Sequence, residues 1–104
     1  MLPLINLANL VIPINTKPSN SVEVGTANDI CIFSPSSLTG TITVQVSQDN
    51  TTWVDLKSGG SSVTVGASAG VVITNCAFKW LRVNSGSDEG TARTFGASMQ
   101  ERAP

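Results

Sequence analysis

Few residues in this chain are equipped for chemistry. Asp49 and Asp55 flank a polar turn, and Asp88 and Glu89 are adjacent in a second polar loop. Either set is a conceivable carboxylate pair for acid–base work. Cys31 and Cys76 are the only cysteines, and the chain has no His and no Tyr. A Ser-His-Asp or Cys-His arrangement therefore cannot be assembled, and neither thiol has an evident base to activate it. Two distant cysteines do not meet the three or four ligands of a zinc site. The 49–55 turn lacks the clustered Asp-x-Asp-x-Asp ligands of a calcium loop. Acids in turns are common for solubility alone, so the expectation is a non-enzymatic protein without a metal or other cofactor.

Trp53 and Trp80 carry the other chemical option, since an exposed indole can stack on a pyranose ring. Trp53 follows a hairpin turn and reads as a core or lid residue. In Lys79–Val83, Trp80 and Arg82 face one way while Lys79, Leu81 and Val83 face the other. Trp80 therefore reads as a core or subunit contact, with ligand stacking as the competing role.

The elements that position these residues follow from period-2 patterning. Ile42, Val44 and Val46 alternate with Thr43, Gln45 and Ser47, the pattern of a strand with one buried face. Gln48–Thr51 supplies turn residues, and Trp53 and Leu56 lie beyond it. This is a β-hairpin, and Lys79–Val83 is its expected partner. Ile42, Val44, Val46, Trp53, Leu81 and Val83 are the expected core.

Ser, Thr, Asn and Gly make up 41 of the 104 residues, while charged residues are 12%. Such a composition favours an all-β chain with many short turns over a helical one. Net charge is -1 and no Lys/Arg cluster occurs, so neither nucleic acid nor an anionic membrane is an expected partner. Cys31 and Cys76 sit among apolar neighbours and read as free, buried thiols, with a disulfide as the alternative.

Residues 1–17 are mostly apolar, with prolines at both ends. They suit an extended arm or edge strand, followed by a sandwich domain over residues 18–104. Leu2–Ile14 lacks a basic n-region and is too short to span a bilayer, so it is expected to be neither a signal peptide nor an anchor. The sequon at Asn50 then reads as a chance match. The arm either completes the domain's own sandwich or packs on a neighbouring subunit.

Short strands are also expected at Ser21–Val24, Asp29–Ser34, Ser62–Val65, Val71–Asn75 and Thr91–Gln100. Ile30–Phe33 is a continuous apolar run of the kind covered on both faces. Arg93, Phe95, Ala97 and Met99 share one face of the last strand. Lys57–Ser61 is expected to be a flexible connection and Glu101–Pro104 a frayed end. The fold expectation is a single-domain β-sandwich of jelly-roll type, with an immunoglobulin-like sandwich second.

VQVSQDNTTWVDL followed downstream by FKWLRVNSG is similar to the strand pair of discoidin-like, galactose-binding-type jelly rolls. There a V-x-x-S-x-D-G-x-x-W-x-x-L hairpin is answered by an R-Y-V/L-R-V/I strand. Val44, Ser47, Asp49, Trp53, Leu56, Leu81, Arg82 and Val83 keep the pattern. Asn50 stands for the Gly, Lys79 for the first Arg and Trp80 for the Tyr. The chain also resembles the small structural proteins of tailed-bacteriophage virions, especially capsid decoration (cement) proteins. That resemblance implies a homo-oligomer, a trimer before a dimer, bound to the major capsid protein on the capsid surface after synthesis in the host cytoplasm. Leu4, Leu7, Leu10, Ile12 and Trp80 are the expected subunit or capsid contacts. A carbohydrate-binding module and a tail or baseplate domain are the alternatives.

Overall fold

A computed structural model describes residues 3–102 of the chain. Leu2, and Ala103 and Pro104 of the expected frayed end, lie outside the described residues. The elements are β1 (Leu4–Asn6), β2 (Leu10–Ile12), β3 (Val22–Glu23), β4 (Ala27–Phe33), β5 (Ile42–Ser47) and β6 (Val54–Asp55), followed by β7 (Lys57–Ser58), β8 (Ser61–Ser62), β9 (Thr64–Val65), β10 (Gly70–Ile73), β11 (Trp80–Ser85) and β12 (Arg93–Glu101). No helix occurs among the described residues.

Two five-stranded antiparallel sheets form, beside a two-stranded one of β7 and β8. The first has the order β1-β12-β4-β10, with β2 also paired to β12, and the second the order β3-β11-β5-β6, with β9 also on β5. From β4 to β5, and at each step from β9 to β12, the chain crosses between sheets, which is the winding of a jelly-roll-type sandwich. The predicted pairing of the central hairpin with β11 is present: Val44 lies opposite Val83 and Val46 opposite Leu81.

Alternation builds the core. Ile42 and Val44 of β5, Leu81 and Val83 of β11, Ile30 and Ile32 of β4 and Phe95 of β12 are all fully buried or nearly so. On β12 the expected face is correct, with Phe95, Ala97 and Met99 inward and Arg93 half-buried at its start. Two members of the expected core fall outside it. Val46 is on the inward face but only half-buried, because it borders a cleft between the sheet edges. Trp53 lies on the outer face of the second sheet, against Arg82.

Of the two roles open to the N-terminal stretch, residues 3–17 take that of edge strands completing the domain's own sandwich: β1 and β2 pair with β12, and Leu10 and Ile12 are 0% exposed in its core. Three further expectations are corrected. The run Ile30–Phe33 is covered on one side only, since Phe33 is 52% exposed. Glu101 and Arg102 are fastened rather than frayed. Thr26 Oγ1 donates to Glu101 Oε2 at 2.8 Å, and the Arg102 guanidinium donates to the carbonyls of Cys76 and Gly25. The KSGGS connection is a small hairpin, β7–β8, turning through Gly59 and Gly60 at φ 62° and 87°. Only glycine adopts two successive positive φ values without steric cost.

Candidate functional site

The central hairpin turn is built by two side chains that replace missing backbone partners. Ser47 Oγ accepts from the amides of Asp49 and Asn50, and Asp49 Oδ1 accepts from the amides of Thr51 and Thr52 at 2.9 and 2.8 Å. Asn50 takes the left-handed φ of 61° that Asn tolerates. These bonds, the Thr52 amide first, hold the Asp49 carboxyl at about 2, below its usual 3.8. Asp49 is thus occupied in shaping the turn. Asp55 instead accepts from Gln45 Nε2 at 3.0 Å, so the two carboxylates serve different hydrogen bonds and form no acid–base pair.

Past that turn, Trp53 folds back over the outer face of β11. The Arg82 guanidinium lies 4.4 Å from the Trp53 ring centroid. Arg82 Nε donates to Gln45 Oε1 at 2.8 Å, and Gln45 passes the contact on to Asp55. The ring, the cation, the amide and the carboxylate make a continuous polar-aromatic strip. Trp80, one outward position before Arg82, is half-buried on the same face between Glu23 and Ser47. The structure therefore brings both tryptophans to one outer face, with neither in the core.

Glu89 was expected to be a solvating loop acid, and this too is corrected. Its side chain is 0% exposed. Oε1 accepts from the Thr39 amide and Arg93 Nε, and Oε2 from the Gly40 amide and Ser85 Oγ. Burial alone would raise its pKa, but the bonds from Ser85, Thr39, Gly40 and Arg93 outweigh it and hold the carboxyl at about 2. Asp88 points elsewhere, toward exposed Lys17 at 3.8 Å. Glu89 is a clasp joining the 35–41 loop to the 85–93 loop, and the pair suggested by adjacency does not exist in space.

The five expected contact residues separate. Leu10 and Ile12 are sealed in the core and have no side-chain surface to offer a neighbour. Leu7 is half-buried and packs on that core, Leu4 is 72% exposed on edge strand β1, and Trp80 belongs to the tryptophan face. The exposed apolar surface that sequence reasoning missed lies around β10. Phe33 and Val72 are near neighbours on the outer face of the first sheet, Phe33 opposite Gly70 and Val72 opposite Cys31. Beside them a cleft of about 830 Å³ opens between the sheets, with Val46, Leu56, Val63 and Phe78 in its apolar lining and exposed Val54 and Val72 also bordering it. Both cysteines are free thiols, Cys31 half-buried on that outer face and Cys76 buried, where burial pushes its pKa up.

Among the described residues, no group of three or more Cys, Asp or Glu side chains is placed to hold a metal ion. No protein-family model matches this chain, and no curated protein matches it either.

Proposed function

We propose that this chain is a non-enzymatic structural protein of a tailed-phage virion, of the capsid-decoration type, which self-associates and binds the capsid shell. One observation carries the reading. The sandwich completes its core with its own N-terminal strands, yet Phe33 and Val72 stay 52% and 64% exposed as neighbours on one sheet face, with Val54, 58% exposed, bordering the same cleft as Val72. A finished core removes any folding reason for that patch, and contiguous exposed apolar surface marks interaction sites. The virion class itself rests on the resemblance of the hairpin and its answering strand. Mass spectrometry of purified virions from the phage whose genome encodes this sequence tests it. Copy numbers comparable to the major capsid protein support decoration. A few copies per particle move the chain to the tail or baseplate, and its absence from virions overturns the proposal.

A second reading, a carbohydrate-binding module, draws on the outer face that carries Trp53, Arg82, Trp80 and Asp55. Indole rings beside an arginine, an amide and a carboxylate suit stacking and hydrogen bonding to a sugar. Glycan-array binding lost in Trp80→Ala would favour it.

A further inference from the structure

We infer that strand β10 is a docking edge for β10 of a second copy, the two running antiparallel about a two-fold axis at Val72. This deepens the self-association part of the proposed function and rests on it.

The sandwich edges are not equivalent. Edge strand β1 has three residues and follows Pro3; β2 has three, precedes Pro13 and already gives the Val11 amide to Asn20 Oδ1; β3 has two, including Glu23; β6 has two, including Asp55; and β9 has two. Short length, proline and charge are the means by which proteins blunt an edge against pairing. In contrast β10, Gly70–Ile73, is the longest of these edges and contains no charge or proline.

Hydrogen-bond phase shows what this edge offers. Ser34 N donates to Ala69 O at 2.9 Å, and the register continues through Val71 opposite Ile32 and Ile73 opposite Ile30. In an antiparallel ladder the bonded positions alternate. Ala69, Val71 and Ile73 therefore spend their backbone groups on β4, while those of Gly70 and Val72 point away from it. Among the described residues no strand lies on that side. Asn75, at φ 53°, then turns the chain away and limits the edge to about five residues.

A row of outward amides and carbonyls is satisfied by an extended backbone, which narrows the occupant to a strand. A second β10 fits it by symmetry. With Val72 opposite its own copy, Gly70 falls opposite Thr74, and every outward group meets its complement in an isologous contact. The side chains agree, because Val72 meets Val72 on the outer face, flanked by Phe33 of each copy. The absence of charge on Gly70–Thr74 removes the like-charge penalty that self-pairing otherwise carries. Self-pairing at this edge closes a two-fold dimer rather than the trimer that the virion resemblance implies. An edge of about 17 Å is short of the roughly 800 Å² per partner of a standard interface, so association is concentration-dependent.

The test uses light scattering on the full chain from about 1 to about 200 μM, where weak dimers populate. Wild type should rise toward twice the monomer mass, with the Val72 amide exchanging more slowly at the high end. Val72→Lys, at a site already 64% exposed, should keep its circular dichroism and melting temperature while dimerising at least about 30-fold more weakly. Val72→Pro removes an outward N–H without touching the β4 ladder and should act alike. An oligomer that survives both variants with a fast-exchanging Val72 amide overturns the edge assignment while self-association stands. A wild type that is monomeric throughout overturns both, leaving the virion assignment to the copy-number measurement.

Discussion

Glu89→Gln gives the sharpest test of how this fold is held together. The substitution keeps shape and removes charge. Glu89 accepts four hydrogen bonds, two at each carboxylate oxygen, and is fully buried. A glutamine presents an NH2 where one oxygen was, facing two donors. If that side meets Ser85 and Gly40, the hydroxyl can turn to accept but the Gly40 amide is left unsatisfied. If it meets Thr39 and Arg93, that amide and the guanidinium both face a donor, and in either orientation Arg93 loses its counter-charge. Two lost bonds at about 1 kcal/mol each and one buried orphan at about 1–3 suggest a loss of about 3–5 kcal/mol. The same four bonds hold the carboxyl at about 2, below its usual 4.5, a shift that corresponds to about 3 kcal/mol.

The sign is fixed by the direction of the shift. A depressed folded pKa means the contribution is complete above about 4.5 and is lost as pH falls through about 2. By pH 3 about 2 kcal/mol of it should be gone. Thermal melts of wild type and variant in parallel isolate Glu89, because the titration of Asp49 is common to both. At pH 7 the variant should melt roughly 12–20 °C lower, and the gap should narrow steeply between pH 4.5 and 3. A variant within about 2 °C of wild type at pH 7, or a gap equal at pH 3 and pH 7, would refute the clasp.

Val44→Asp should not fold, because it places an unpaired carboxylate at a 0% exposed site, a cost of several kcal/mol against a stability of about 5–15; native-like circular dichroism would count against the core assignment. Leu10→Ala should cost about 2–5 kcal/mol in denaturant melts, and deletion of residues 1–14 should unfold the chain, whereas a folded truncation would favour an arm that packs on a neighbouring subunit. Arg82→Ala in a Trp80→Phe background should expose the Trp53 ring and increase iodide quenching of its fluorescence, at a stability cost of about 1 kcal/mol or less. A thiol reagent should modify Cys31 quickly and Cys76 only slowly; two equally slow thiols would mean the outer face is covered in solution.

The sheet ladders were legible because one face of each strand is buried while the other is wet. Alternation in β5, β11 and β12 specifies which side chains go inward, and Ile42, Val44, Leu81, Val83, Phe95 and Met99 follow it. Trp53 was misplaced because hydrophobic size alone said core. Its position depends on a turn of Ser47 and Asp49 bonds and on a cation from a distant strand. Glu89 was unreadable for a related reason: its four donors come from residues as far back as Thr39, and only the packed sandwich converges them.

The N-terminal stretch shows where hydropathy ceases to discriminate. Leucines and isoleucines at a chain end look alike whether they cover their own core or a neighbour's. What decides is β12. Of its nine residues, Gly96–Glu101 pair with β4 on one side, while Arg93–Phe95 take β2 and Ser98–Gln100 take β1. No other strand among the described residues covers that flank, so removing the stretch would strip both backbone partners and the Leu10–Ile12 packing from the longest strand of the fold. The apolar residues that looked spare are therefore committed. Any drive to assemble must come from surface that patterning marks less clearly: Phe33 on a run expected to be covered on both sides, and Val72 on an edge without charge. The apolar face of β4 finds only half its cover within one chain, and a second copy joined at β10 would place Val72 and Phe33 of the two molecules together over the seam.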